Sequence, residues 1–414
     1  IAQPPSLGAM APAMSWSDPG DGARARGGAM ELGHELIWAL EQGIDDARRR
    51  GEPVQELIDE LDHLLQTGFW ELPAGAPALR HGVVDLGGIR ADPTVADAAR
   101  VAGRHDRVQI PVLSIGGWYD CFAQGVLDNH CAVAAGLGRL IVGPWTHANF
   151  TEGIGELSFG LRARSDDLTA LQLSWFRAQL TEGSASAPDA AQQPVRIFVM
   201  GADRWRDEPC WPPPGSVDER WYLRAGGGLT RASPDGADPA SEFVYDPADP
   251  VPTLGGATLI APFVAAGPID HRSVEERHDV LAFTSEPLEA DLEVTGRVRV
   301  ILHAQSSAPA TDWVARLCDV HPDGNSYGVC DGILRVARGA RELARHELDL
   351  WSTSNVFRRG HRLRVQVTSS CFPRWDRNLN TGDQRGQAHV PARQRVSLDA
   401  EHPSYVELPV LQRA

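Results

Sequence analysis

A chain of 414 residues and 44.9 kDa holds two to three domains and can bury a large core unaided, which excludes a disulfide-dense miniprotein. Its 42% apolar and 23% charged residues are ordinary for a globular protein and exclude wholesale disorder. No apolar run is long enough for a membrane-spanning helix, and a net charge of -16 opposes binding to a phosphate backbone.

Lysine is absent, so all 39 cationic side chains are arginines, a compositional bias that carries no function. The six cysteines (Cys121, Cys131, Cys210, Cys318, Cys330, Cys371) form neither a C-x-x-C pair nor a short-spaced framework. Zinc and disulfide readings are therefore weak, and a reducing, cytoplasmic setting is expected. The chain opens at Ile1, with no initiating Met and no basic-then-apolar leader.

From Gly28 to about Gly51, Met30, Leu32, Leu36, Ile37, Leu40 and Ile44 fall at helical spacing, and Gly51 supplies a stop. A second helix is expected after Pro53 on Leu57, Ile58, Leu61, Leu64 and Leu65, so the stretch to Trp70 reads as a helical hairpin with Glu and Asp on its outer face. Between Val108 and His147 the pattern changes to short continuous apolar runs, Pro111–Ile115 and Leu140–Val142, each followed by glycine. Such runs suit parallel strands buried on both faces, with Phe122–Ala135 as the crossover helix. A helix over Asp166–Leu180, an Ala/Ser/Pro/Gln linker over Ser184–Pro194 and a strand over Val195–Met200 follow. From about Val217 onward alternation takes over. Val294, Gly296, Val298, Val300 and Leu302 share one face, and Leu363, Val365 and Val367 do the same between Arg362, Arg364 and Gln366. With a Gly/Asp/Pro-rich loop at Ala225–Ser241, this half reads as an all-β sandwich of half-buried antiparallel strands.

Two residues fall where a parallel sheet places chemistry: Asp120, just past the strand ending Gly116-Gly117, and His147, just past the strand ending Gly143-Pro144. Acid before histidine, each after its own strand, is the chain order of an α/β-hydrolase triad. Asp120 would fix the imidazole tautomer while His147 shuttles the nucleophile's proton. Taken alone, a strand-end Asp and His are more often a turn carboxylate and a loop imidazole with no coupling. The letters G-x-S-x-G occur at Gly324–Gly328, but Pro322-Asp323-Gly324 marks a hairpin turn in the all-β half, without the strand and helix that a nucleophile elbow requires. Ser114 sits inside a buried strand, and Ser6 and Ser15 lack a glycine pattern. No nucleophile is found.

The stretches Pro111–Phe122 (PVLSIGGWYDCF) and Leu140–His147 (LIVGPWTH) resemble the acid and histidine motifs of the bacterial cocaine esterase and Xaa-Pro dipeptidyl peptidase family, the CocE/NonD-type serine hydrolases. The resemblance continues through Phe198–Asp207, Tyr245–Pro252, Thr353–Phe357, Phe372–Asn380 and His402–Ser404, covering the chain from Gly28 to its end. It implies an α/β plus all-β architecture: the C-terminal portion of an α/β-hydrolase, a helical cap and a C-terminal jelly-roll-like β-sandwich. The implied division is 1–16, a remaining piece of the hydrolase domain; 17–107, cap; 108–216, second half of the hydrolase domain; and 217–414, sandwich. Asp120 becomes the catalytic acid and His147 the general base. Trp38, within Gly27–Trp38 (GGAMELGHELIW), and Phe122 become substrate-binding aromatics, with plain core packing as the alternative for both. Relative to the family, Ala2–Ser15 resembles the chain shortly after the nucleophile helix, which places the serine elbow and oxyanion tyrosine upstream. Leu79–Arg107 lacks the family's usual aromatic and acidic pattern.

The expected function is hydrolysis of carboxylic esters or amides through a seryl acyl-enzyme, with this chain inactive by itself. The expected partner is a small-molecule ester or amide, with no cofactor, metal, nucleic acid or membrane and a homodimer as candidate assembly. Two alternatives stand beside it: an Xaa-Pro dipeptidyl peptidase, and a non-catalytic chain whose sandwich binds carbohydrate or a partner subunit.

Overall fold

The computed structural model describes residues 2–82, 98–165, 167–181, 193–383 and 386–412. Near the start, Met10 and Ala13 bridge in parallel to Val112 and Ile115. A two-residue hairpin follows, β1 (Ala25–Arg26) against β2 (Ala29–Met30), turning on Gly27 and Gly28 at positive φ. A Cβ on Gly27 would lie 1.8 Å from the Ile333 carbonyl oxygen, so only glycine fits there. This turn corrects the first helical boundary: Met30 is in a strand, and α1 spans Leu32–Arg50, ending on Gly51 in the left-handed region. α2 (Gln55–Gln66) packs back on it, followed by α3 (Ala76–Arg80). Leu36, Leu40, Leu64 and Phe69 bury together with Ile260 and Phe372, so the helical hairpin shares its core with the β-rich half.

β3 (Val112–Tyr119), buried throughout, α4 (Ala123–Ala132) and β4 (Gly138–Thr146) form a strand-helix-strand unit with a parallel pairing. A small hairpin, β5 (Gly153–Ile154) and β6 (Leu157–Ser158), and α5 (Leu168–Leu180) lead to β7 (Val195–Val199), parallel to β4, and β8 (Arg204–Glu208), antiparallel to β7. The expected linker lies outside the described residues except for Gln193 and Pro194, as do Asp166 and much of Leu79–Arg107.

The remaining strands are β9 (Ser216–Arg224), β10 (Gly228–Thr230), β11 (Ser241–Tyr245), β12 (Leu281–Thr284), β13 (Leu292–Ser306), β14 (Thr311–Val320), β15 (Ser326–Val336), β16 (Ala344–Phe357), β17 (Arg362–Thr368), β18 (Ala392–Ser397) and β19 (Tyr405–Leu411); one helical turn, α6 (Arg272–Glu275), precedes β12. One layer runs β11-β18-β13-β19-β9-β10, with β16 also on β13; the other runs β12-β17-β14-β15. A single bridge, Gly228 to Thr284, links them. Val294, Val298, Val300 and Leu302 of β13 and Leu363, Val365 and Val367 of β17 meet in the core between the layers. β10 lies within the stretch read as a loop, because Gly226 and Gly227 turn the chain back onto β9. The opposite face is covered more than alternation implies: Thr295 meets Ser354, and Gln366 takes Arg316 and donates to Glu275.

The two halves are joined by buried charge. Asp331 on β15 accepts both oxygens' worth of hydrogen bonding from Arg374 (2.8 and 2.9 Å), with Arg26 of β1 at 3.5 Å and Arg316 at 3.8 Å. Glu31, at the entry to α1, accepts from Trp375 Nε1 (2.8 Å) and lies 3.6 Å from Arg374. The outer face of the hairpin does carry exposed acids, Glu41, Asp46, Glu56, Asp59 and Asp62, but Glu31, Glu35 and Glu60 are buried exceptions; Glu60 is held by Arg80 and His81. Burial alone would raise the Asp331 carboxyl, but Arg374, Arg316 and Arg26 hold it down at about 2. Its contribution to stability is therefore complete above the ordinary carboxylate range and lost as pH falls towards that value. Asp331→Asn leaves these guanidiniums short of a counter-charge and is expected to cost about 3–5 kcal/mol in chemical denaturation. A loss below about 1 kcal/mol would show that the cluster does not hold the halves together.

Candidate active site

Asp120 and His147 directly follow β3 and β4, whose parallel pairing puts both at the carboxyl edge of the sheet. Close strand approach is permitted by glycine, since a Cβ on Gly117 of β3 would lie 2.5 Å from the Trp145 carbonyl oxygen of β4; within β4, Gly143 leaves room for the Trp145 ring. Asp120 is fully buried. Its Oδ1 accepts the Phe122 N–H (2.8 Å), fixing the turn into α4, and its Oδ2 accepts from His147 Nδ1 (2.7 Å). His147 sits in a turn closed by Thr146 and Asn149, with about a third of its side chain open. Because a carboxylate only accepts, Nδ1 carries the proton and Nε2 is left as the basic nitrogen. The hydrogen bond to Asp120 raises the His147 pKa above its ordinary value against the opposing effect of burial.

His147 opens on a cavity of about 380 Å3. Phe122 meets the imidazole edge-on at 5.4 Å and Trp16 at 5.5 Å. From α1 come His34, Ile37, Trp38 and Glu41, a helical i, i+3, i+4, i+7 stripe, and from the β-rich half come Leu259 and Ala261. The structure thus brings Trp38, Phe122, Asp120 and His147 into one place. Sequence reasoning missed His34, although the same stripe carried Trp38. His34 Nδ1 is buried without a hydrogen-bond partner, and burial, with His147 and Arg24 nearby, pushes its pKa down to about 4. It stays neutral wherever His147 can act as a base. Leu259 and Ala261 carried no periodic signal and could not have been found.

No hydroxyl or thiol belongs to the described residues that line this cavity. Ser326, in the G-x-S-x-G letters, starts β15 and donates to Glu275. Cys121 lies beside Asp120 and His147 with ligand atoms close enough for a metal. Burial raises its thiol well above the ordinary range, which disfavours the thiolate that would bind an ion, so the group is a poor metal site.

The model of the S15-family X-Pro dipeptidyl-peptidase matches residues 1–149, and that of the X-Pro dipeptidyl-peptidase C-terminal non-catalytic domain matches residues 190–407. The cocaine esterase of Rhodococcus sp. is 39% identical over 331 residues, 73% of this chain and 57% of that protein. The chain therefore spans little more than half the length of this relative. Two crystal structures share the fold: an aminopeptidase from a marine sediment Thaumarchaeota archaeon (TM-score 0.79, 23% identity, 99% of this chain and 73% of that one) and an α-amino acid ester hydrolase (TM-score 0.74, 24% identity, 98% and 73%). With two family models covering most of its length and an esterase at this identity, the chain belongs to the cocaine esterase and X-Pro dipeptidyl-peptidase family of serine hydrolases.

Proposed function

We propose that this chain supplies the acid and the general base of an esterase that works through a seryl acyl-enzyme. The observation that carries the reading is the 2.7 Å bond from His147 to a fully buried Asp120, with the other imidazole nitrogen facing an aromatic-walled cavity. Asp120 orients the ring and stabilises its cation, and His147 takes a hydroxyl proton and returns it to the leaving alcohol. Trp38 and Phe122 bind the acyl part by apolar contact, and neutral His34 adds no charge that would repel the imidazolium. The serine comes from polypeptide outside the described residues.

A peptidase or α-amino ester reading is favoured by one group. Glu41 is exposed on the cavity wall, where a carboxylate could hold a substrate's free α-amine.

Three outcomes test this. In this chain the His147 imidazole should titrate above the ordinary value near 6.5, and in Asp120→Asn its inflection should move down, as followed by NMR. An unchanged inflection would remove the coupling. Since the base must be neutral, kcat/KM of the full-length protein should rise with pH through this inflection. Second, this chain alone should give no burst with a p-nitrophenyl ester. The full-length protein should turn the ester over and lose about ten-thousand-fold in Asp120→Asn; activity surviving both Asp120→Ala and His147→Ala would sink the assignment. Third, Glu41→Gln in the full-length protein should lower turnover of Xaa-Pro anilides or α-amino esters about tenfold or more while sparing simple acyl esters. Equal effects on both substrates would leave Glu41 without a role in amine recognition.

A further inference from the structure

A second cavity, of about 310 Å3, lies where the β-rich half meets the parallel sheet. Tyr119, Phe159, Gly201 and Asp203 form one side of it, and the end of β14 with the approach to β17 forms the other. On that second side three side chains converge. Asp319 is held in the ladder, opposite Tyr327 of β15 and Leu363 of β17. His321 sits in the turn that joins β14 to β15, its N–H donating to Asn325 and its carbonyl accepting from Gly324. His361 immediately precedes β17, with its carbonyl bound to the Leu288 N–H. The two imidazoles flank a single carboxylate: His361 Nδ1 lies 2.9 Å from Asp319 Oδ1, and His321 Nε2 lies 3.7 Å from Oδ2. Their ring centroids are 4.3 Å apart, and one donor atom from each of the three residues lies within 4.8 Å of the others.

We propose that Asp319, His321 and His361 form a binding site for a divalent transition-metal ion, zinc by the chemistry of its donors, with its open coordination positions facing this cavity. Two imidazoles and one carboxylate suit zinc and its first-row neighbours, whereas calcium and magnesium take oxygen ligands. Ligands bound to a common ion at about 2.0–2.2 Å lie roughly 3–3.5 Å from one another, close to the separations of both imidazoles from the carboxylate. With the three donor atoms within 4.8 Å of one another, an ion would displace the proton of the His361–Asp319 hydrogen bond and draw the side chains onto itself by rotation. The charged side chains around the cavity are Asp203 and Arg358 besides the ligands, and Arg358 lies 3.5 Å from Asp291. Three protein ligands with an open position allow a water, or a carboxylate such as Asp203 from across the cavity, to complete the shell.

Among the described residues, two other groups of His, Cys, Asp and Glu are close enough to compete, and each is disfavoured: in Asp120, Cys121 and His147 burial keeps the thiol protonated, and in Glu60, His63 and Glu71 both carboxylates are bound to Arg80. They serve as controls. The chain is titrated with Co2+ and followed by its visible ligand-field absorption, and Zn2+ is counted after dialysis. One ion per chain is expected in the wild type, in His147→Ala and in His63→Ala, and none in His361→Ala or Asp319→Asn. His321→Ala, in a partly exposed turn, provides a variant whose folding is checked by circular dichroism; it too should lose the ion, along with the rise in melting temperature that saturating Zn2+ gives the wild type. Failure of the wild type to hold one ion overturns the proposal. So does stoichiometric binding that survives in His361→Ala or folded His321→Ala, or that disappears in His147→Ala or His63→Ala.

Discussion

Asp331 is the point on which the two ends of the chain are joined. A carboxylate buried in the β-rich half gathers guanidiniums from Arg26, Arg316 and Arg374, which lie on the hairpin before α1, on β14 and after β17. Desolvating charge is costly unless geometry and hydrogen bonding compensate, and here each cation has further partners. Arg26 stacks 3.8 Å over Trp351, and Arg374 lies over Trp375, whose indole N–H is held by Glu31. Because Glu31 is the residue before α1, the cluster fixes where that helix begins and hence which of its faces meets the cavity.

That placement decides the chemistry available at His147. The parallel sheet alone could position Asp120 and His147, since each follows its own strand and glycine lets the strands approach. It could not enclose them. The stripe from His34 to Glu41 comes from α1, Met14, Trp16 and Ala23 come from the segment before it, and Leu259 and Ala261 come from the β-rich half, so stretches remote in sequence wall one space. A shift of α1 by one residue would turn Trp38 away and bring a different set of side chains over the imidazole.

Much of this was legible in the sequence, for physical reasons. Short continuous apolar runs before Asp120 and His147, each followed by glycine, suit strands covered on both faces, and β3 and β4 are such strands. Alternation in β13 and β17 likewise reports a core on one face. What escaped depends on partners remote in sequence. Glu31, Glu35 and Glu60 read as solvent-facing because acidic residues usually are, yet Glu31 is satisfied by residues more than 340 positions away. Gln366 and Thr295 are covered for the same kind of reason. The start of α1 was misread because Met30 fits the helical period, while the Gly27-Gly28 turn beside it carries the stronger constraint.

The two imidazole–carboxylate pairs in this chain show how one bond serves different ends. His147 and His361 both reach a buried or nearly buried aspartate through Nδ1, at 2.7 and 2.9 Å. What separates them is the surroundings. Beside His147 stand aromatic rings and His34, which burial keeps neutral, so the free nitrogen faces an apolar space suited to proton transfer. Beside His361 stands a second imidazole on the same carboxylate, so three donors lie together at the edge of the second cavity. Counting residue types would rank the two clusters alike; what distinguishes them is the company each imidazole–carboxylate pair keeps, apolar rings and a neutral histidine at one and a second imidazole on the carboxylate at the other.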